Sequence, residues 1–280
     1  INFCKDSKYK FKIYFSTANT PSEGEHKLLQ HIRNTNNDYT YIIYGLDADL
    51  IFLSLAANKN NIFLLREEQV LNKKKSESTQ LNYISMDVLK QCIIDELNDI
   101  LFDEFIERNL DHGKVIRDFI FICYFLGNDF LPHIPSIDIR SYNKKCINGL
   151  DLLLQGYANT FDNLQEYLLI IDNDDIKFNI VFLQMFLEYL TSFEEEFFMN
   201  LYKSKRRINH VKKEDPYDEE KYKIDNILFK VKNDIELGKD DSDEYKFRYY
   251  KKYYFCEINQ NNLVKYACYK YFEGLIWVAN

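Results

Sequence analysis

The chain has 280 residues and carries 36 Lys+Arg against 44 Asp+Glu, a formal net charge of −8. With 46% hydrophobic and 16% aromatic residues and only 8 Gly and 4 Pro, it can bury a substantial core, which excludes wholesale disorder and the fibrous or low-complexity classes. An acidic chain exerts no long-range pull on a polyanion, so any phosphate binding has to come from a local basic patch or from cations held by carboxylates.

The elements are expected in this order. Residues Lys10 to Phe15 alternate charged and apolar, as a half-buried strand does, and Ser16 to Ser22 supplies turn chemistry. Glu23 to Arg33 suits a short helix with Leu28, Leu29 and Ile32 inward. Tyr39 to Tyr44, aromatic and β-branched throughout, predicts a strand covered on both faces. A helix over Asp49 to Ala57 and a strand over Asn61 to Leu65 follow. This β-α-β order implies a mixed, mainly parallel sheet with helices packed on it, an α/β fold. Past a charged loop at Lys73 to Thr79, Ser85 is placed to cap a helix with Val88, Leu89, Cys92 and Ile93 inward. The helix from about Lys114 to Leu126 is apolar on nearly every side and should be central. Beyond Tyr157 the strand signals stop. Phe178, Val181, Met185, Phe186 and Tyr189 recur at helical spacing, and Asn262 to Val278 forms a final aromatic helix. The expected organisation is an α/β core over residues 1–160 and a helical extension over 161–280, with a charged, partly mobile excursion at about 203–245.

The longest apolar run, Phe119 to Leu126, falls far short of the roughly 18 to 20 residues that cross a bilayer, so no membrane partner is expected. No secretory leader is visible. Six scattered cysteines without a C-x-x-C pair argue for buried thiols in a reducing compartment, the cytoplasm first and the nucleus second. Opening at Ile1 and ending within the apolar stretch Gly274 to Val278, the chain reads as a fragment.

Acidic side chains recur at element ends: Glu23 and Glu25 after the first strand and turn, Asp47 and Asp49 after the buried strand, and Asp129 after the most apolar helix. In extended backbone, residues i and i+2 share a side, so each pair can converge on one ion. Carboxylates are the ligands Mg²⁺ and Mn²⁺ prefer, and α/β sheets bind ligands beyond the carboxyl ends of their strands. Two divalent ions would neutralise such a cluster and polarise a phosphodiester. Each motif also has a plainer reading: Ser22 and Glu25 as a capping box, Asp47 or Asp49 as a helix N-cap, and Gly127-Asn128-Asp129 as a helix stop. His26 and His133 stand beside the acids and can contact phosphate or simply bond a cap. The basic run Lys203, Lys205, Arg206, Arg207, Lys212 and Lys213 suits RNA contact, nuclear import or plain solvation. Trp277 and most Tyr and Phe residues are assigned to packing.

The strings Thr20-Pro21-Ser22-Glu23-Gly24-Glu25-His26-Lys27, Tyr44-Gly45-Leu46-Asp47-Ala48-Asp49-Leu50-Ile51, Leu65-Arg66-Glu67 and Leu126-Gly127-Asn128-Asp129-Phe130-Leu131-Pro132-His133 resemble, in the same order, the nuclease region of the XRN family of 5′→3′ exoribonucleases. Gly149 to Tyr157 and Tyr271 to Val278 are similar to that family's later helical segments. The resemblance implies a PIN-like nuclease core extended by helices. It also implies two Mg²⁺ (or Mn²⁺) ions and stepwise hydrolysis of single-stranded RNA bearing a 5′-monophosphate, in RNA decay and with RNA-decay protein partners. Of the family's seven metal-site acids, five fall on Glu23, Glu25, Asp47, Asp49 and Asp129. The other two, with the 5′-phosphate pocket, are expected upstream of Ile1, and an aromatic-rich segment after residue 280. Ser22 stands where the family has glycine, which should slightly stiffen the turn. Two other classes compete: a non-catalytic RNA- or protein-binding scaffold on the same fold, and a structure-specific 5′ DNA nuclease of the flap-endonuclease type.

Overall fold

A computed structural model describes residues 13–35, 39–67, 81–101, 110–139, 147–172, 175–208, 216–218, 220–221, 224, 244–257 and 261–280, apart from the side chains of 203–208 and 244–245. The chain divides into two compact units, residues 1–91 and 92–280.

The first unit begins with helix α1 (Gly24–Asn34), strand β1 (Tyr41–Tyr44), helix α2 (Asp49–Ala56) and strands β2 (Ile62–Glu67) and β3 (Leu81–Ser85). Helix α3 (Met86–Ile100) follows directly and crosses into the second unit. The sheet order is β1-β2-β3, with β1 parallel to β2 and β2 antiparallel to β3. The sheet is therefore mixed, and the β1-α2-β2 crossover accounts for its parallel half. The core gathers one stripe from each element: Leu29 and Ile32 of α1, Ile43 of β1, Leu50 of α2, Ile62 and Leu64 of β2, and Met86.

Four expectations need correction here. Ile13 to Phe15, the described part of the first predicted strand, form no strand and are exposed, since alternation builds a strand only where a partner strand accepts its hydrogen bonds. Leu28 is 40% exposed, because the α1 stripe that meets the core runs through Leu29 and Ile32 alone. β1 is covered on one face only: Ile43 is buried while Ile42 and Tyr44 are 57% and 61% exposed, because the α1 and α2 core residues Leu29, Ile32 and Leu50 cluster with Ile43. On α3 the buried stripe is Met86, Ile93, Ile94 and Leu97, so Val88 and Cys92 face outward, a shift of about one position in helical phase. The Ser85 hydroxyl does accept from the Val88 N–H at 3.4 Å, a long cap. The Lys73 to Thr79 loop lies outside the described residues.

The second unit is built on helix α4 (His112–Cys123), continued by a single 3₁₀ turn at Tyr124–Leu126. Asp111 caps α4 by accepting the Lys114 N–H at 3.1 Å. Val115, Ile116, Ile120, Phe121 and Ile122 are all buried, so α4 is the central helix its composition predicts. Helix α5 (Gly149–Leu164) packs on α4 and on helix α6 (Ile180–Thr191). Between α5 and α6 runs a hairpin of β4 (Leu169–Asp172) and β5 (Asp175–Phe178). This hairpin is a correction: Phe178 ends a strand, and the buried positions of α6 are Phe182, Leu183, Phe186 and Leu190 rather than Val181 and Met185. Four-residue strands joined across the polar Asn173-Asp174 pair are too short to show alternation. Helices α7 (Glu194–Ile208), α8 (Glu244–Tyr254) and α9 (Asn261–Ala279) follow among the described residues. The basic run thus starts on the backbone of α7, and Lys212 and Lys213 lie outside the described residues.

Asp118 ties this unit together. Wholly buried on α4, it accepts from the Tyr157 hydroxyl of α5 at 2.9 Å and from the Leu168 and Leu169 N–H groups entering β4 at 2.8 and 2.9 Å. Three elements therefore converge on one carboxylate. No helix among the described residues is long and apolar enough to cross a membrane. Of the thiols described, Cys123 and Cys256 are buried but Cys92 and Cys268 are exposed, so the expectation of buried thiols holds for only part of the set.

Candidate active site

The acids of the first unit sit where the chain passes into a helix. Glu23 is the N-cap of α1 in extended conformation, and Glu25 lies in its first turn. Neither the Ser22 nor the Glu23 side chain makes a capping bond to the helix, so the capping-box reading fails. Ser22 has φ 81°, a region that favours glycine. The non-glycine residue there stores strain of about 1 kcal/mol rather than merely stiffening the turn. The Lys27 ammonium holds the preceding turn by donating to the Thr17 and Thr20 carbonyls at 3.4 and 3.1 Å. His26 Nε2 stands 3.9 Å from Glu23 Oε2 on the exposed side.

Asp47 occupies the loop between β1 and α2, and Asp49 is the first residue of α2. The N-cap is Ala48, so neither aspartate caps the helix, although Asp47 Oδ1 accepts the Asp49 N–H at 3.3 Å. The extended i, i+2 geometry expected of both acid pairs is absent, because each second acid already belongs to a helix. What gathers them is the packing of α1 against α2. The two first turns present Glu25 and Asp49 at positive helix ends, where carboxylates are favoured by about 0.3–1 kcal/mol.

Glu25 records the result. Its pKa is raised above the ordinary value, by partial burial first and then by the negative charges of Asp47, Asp49 and Glu23, with His26 opposing. Charges shift a pKa only when they are near, so these four carboxylates share one electrostatic neighbourhood. All of their donors are oxygen, the set hard divalent cations select. Even so, among the described residues no group of three or more His, Cys, Asp or Glu side chains stands in an arrangement that could hold a metal ion.

Gly45 and Gly127 shape the two acid loops. A Cβ on Gly45 would lie 2.3 Å from Leu50 Cδ1, so glycine lets the core residue of α2 close against the end of β1. Gly127, at φ 90°, would place a Cβ 2.8 Å from the His133 backbone nitrogen. The loop after Gly127 is closed by Asn128, whose Oδ1 accepts from the Phe130 and Leu131 N–H groups at 2.9 and 2.8 Å. Asp129 is exposed in the bend that results. The loop rests on α9: Tyr271 donates to the Pro132 carbonyl at 3.1 Å, and Phe130 meets Trp277 edge-on with centroids 5.2 Å apart. Gly127 is thus a glycine-dependent helix stop, as the plainer reading expects, whereas Trp277, 65% exposed, touches Phe130 at the surface rather than filling the core. His133 Nδ1 lies 3.0 Å from the Ile134 carbonyl, a local backbone contact. Asp129 belongs to the second unit and the other four acids to the first.

Sequence reading missed Arg66 and Glu67 as part of this edge, noting them only as a string. Arg66 donates from Nη2 to the Leu46 carbonyl, and Glu67 Oε1 accepts the Tyr44 hydroxyl at 2.6 Å, which raises the Tyr44 pKa. Their place at the carboxyl end of a strand beside the acids was the available signal.

Comparison with known proteins gives the class. The family model described as XRN 5'-3' exonuclease N-terminus matches residues 2–68, and the one described as Xrn1 helical domain matches residues 109–242. The chain belongs to the XRN 5′-3′ exonuclease family. It is 32% identical over 226 residues to 5'-3' exoribonuclease 2 of Arabidopsis thaliana, covering 67% of this chain and 21% of that protein. Against 5'-3' exoribonuclease 1 of Saccharomyces cerevisiae it is 32% identical over 199 residues, covering 68% of this chain and 12% of the relative. Against 5'-3' exoribonuclease 2 of the same yeast the figures are 30% over 239 residues, 75% and 22%. The chain spans about a fifth of the length of most curated relatives it matches.

Proposed function

We propose that this chain is the acid-bearing part of a 5′→3′ exoribonuclease that removes nucleotides one at a time from single-stranded RNA carrying a 5′-monophosphate. The observation that carries the reading is the packing of α1 against α2, whose first turns bear Glu25 and Asp49; the raised Glu25 pKa, due first to burial and then to Asp47, Asp49 and Glu23, agrees with it. A nest of like charges at the ends of packed elements is unfavourable unless cations join it. In this reading the first unit belongs to a PIN-like core that extends to about residue 160, and the helices beyond it support substrate passage. Glu23, Glu25, Asp47 and Asp49 of the first unit would be the ligands once their side chains turn toward a cation, and Asp129 of the second unit is proposed as a cation ligand on its motif alone. When bound, two Mg²⁺ or Mn²⁺ ions supply charge neutralisation at the scissile phosphate and activation of the attacking water. The protein's share of the chemistry is to hold the carboxylates. The helix N-termini of α1 and α2 fix Glu25 and Asp49, while the exposed Glu23 and Asp47 side chains have room to rotate inward. The cytoplasm and its RNA-decay assemblies are the proposed setting.

The test is decay of matched 5′-monophosphate and 5′-triphosphate RNAs by the full-length protein, with Mg²⁺ and with chelator. Selective, Mg²⁺-dependent loss of the monophosphate RNA is the expected result. Equal decay of both RNAs, or decay in chelator, contradicts the proposal.

A further inference from the structure

We infer that Arg66 is a positioning residue for the acid loop: its guanidinium braces the Leu46 carbonyl and thereby fixes Asp47 and the entry to α2. The parallel ladder between β1 and β2 pairs Tyr44 with Leu65 and ends with the Gly45 N–H donating to the Leu65 carbonyl at 3.3 Å. From Leu46 onward the backbone has left the sheet. The Arg66 side chain takes over there, reaching from β2 to the next carbonyl of the departing chain. One residue later Asp47 Oδ1 accepts the Asp49 N–H, and Ile51 N–H donates to the Ala48 carbonyl at 3.0 Å, starting α2. Every step from strand to helix therefore has a holding bond, and the Leu46 step is held by a side chain from the neighbouring strand. Arginine suits this task because its planar fork is permanently charged and loses little freedom per bond formed.

Leu46 is 43% exposed, so water can satisfy its carbonyl if Arg66 is removed, and the sheet need not unfold. The expected loss is one of position. Residues that orient ligands from outside typically account for 10–100-fold in metal affinity. This inference rests on the reading of the acids as a cation site, and one of its two arms does not depend on that reading.

The experiment uses the full-length protein with Arg66→Met and Arg66→Lys, and Asp49→Ala as a control. Amide hydrogen exchange should speed by roughly tenfold at residues 46–51 in Arg66→Met, with the Ile43 and Leu64 amides unchanged and partial recovery in Arg66→Lys. Unaltered exchange at 46–51, or a loss of protection spread evenly over the first unit, overturns the brace. In parallel, Mn²⁺ half-saturation followed by electron paramagnetic resonance should rise roughly tenfold in Arg66→Met. Wild-type Mn²⁺ binding in Arg66→Met, with Asp49→Ala impaired, overturns the link from brace to site. Wild-type binding in Asp49→Ala refutes the cation site itself, and the exchange arm then still decides the brace.

Discussion

Replacing Asp49 with Ala in the intact protein is expected to abolish RNA degradation in Mg²⁺ while leaving the fold standing. The side chain is partly exposed in the first turn of α2, and the bond from its own N–H to Asp47 survives the substitution. What is lost structurally includes the favourable interaction of one carboxylate with a helix end, about 0.3–1 kcal/mol. Removing a negative charge from the surroundings of Glu25 offsets part of that loss. The melting temperature should therefore move by only a few degrees. The rate, by contrast, should fall by roughly a thousandfold or more, about 4 kcal/mol in the barrier, because the phosphate-facing charge is no longer held in place. Thermal melts and single-turnover decay assays on the same preparation separate the two effects. A variant that digests RNA at the wild-type rate would remove Asp49 from the site.

Asp118 is expected to make the second unit less stable as pH rises from about 4 to 7. Burial lifts its pKa to about 6, against the opposing pull of hydrogen bonds from Leu168, Leu169 and Tyr157 and of the Arg117 charge. The unfolded chain binds that proton only near the ordinary carboxylate value. Between the two values the folded state holds more protons than the unfolded one, so stability falls as pH rises. The contribution is complete at acid pH and is lost above about 6. Its full span is roughly 3 kcal/mol. Asp118→Asn keeps one oxygen acceptor and abolishes the titration. Urea unfolding of both proteins at pH 4.5 and 7.5 isolates the effect, since every other carboxylate is common to them. The wild type should lose roughly 2 kcal/mol relative to the variant over that interval, and parallel pH profiles would contradict the assignment. Asp118→Ala, by leaving three buried donors without a partner, should cost roughly 3 kcal/mol or more at any pH.

Much of the fold was legible because several elements announce themselves locally. α1 follows a Thr-Pro-Ser turn and carries an apolar stripe, α4 is apolar nearly all round, and β2 opens on an apolar stretch whose Ile62 and Leu64 are buried. The misreadings share one cause, which is that exposure depends on partners far along the chain. β1 has the composition of a strand buried on both faces, yet among its residues only Ile43 is buried. The β4-β5 hairpin is too short for its alternation to stand out from the helices on either side. The α3 phase is set by Met86, the first residue locked into the core, which its local pattern does not reveal.

The candidate site divides in the same way. The identities of Glu23, Glu25, Asp47, Asp49 and Asp129 could be read from their motifs. The manner in which the first four meet could not, since it arises from two helix starts packed together rather than from extended alternation. Arg66 was illegible as a brace because its partner is a backbone carbonyl, which leaves no trace in composition.

The central claim is that separate acids form one electrostatic nest. The most direct measurement is a carbon-13 titration of the Glu25 carboxyl in the wild type and in an Asp47→Asn/Asp49→Asn double variant, each with and without Mg²⁺. The wild-type pKa should stand above the ordinary glutamate value, drop in the double variant and drop in the wild type on adding Mg²⁺. A Glu25 pKa that is identical in both proteins and indifferent to Mg²⁺ would contradict the account.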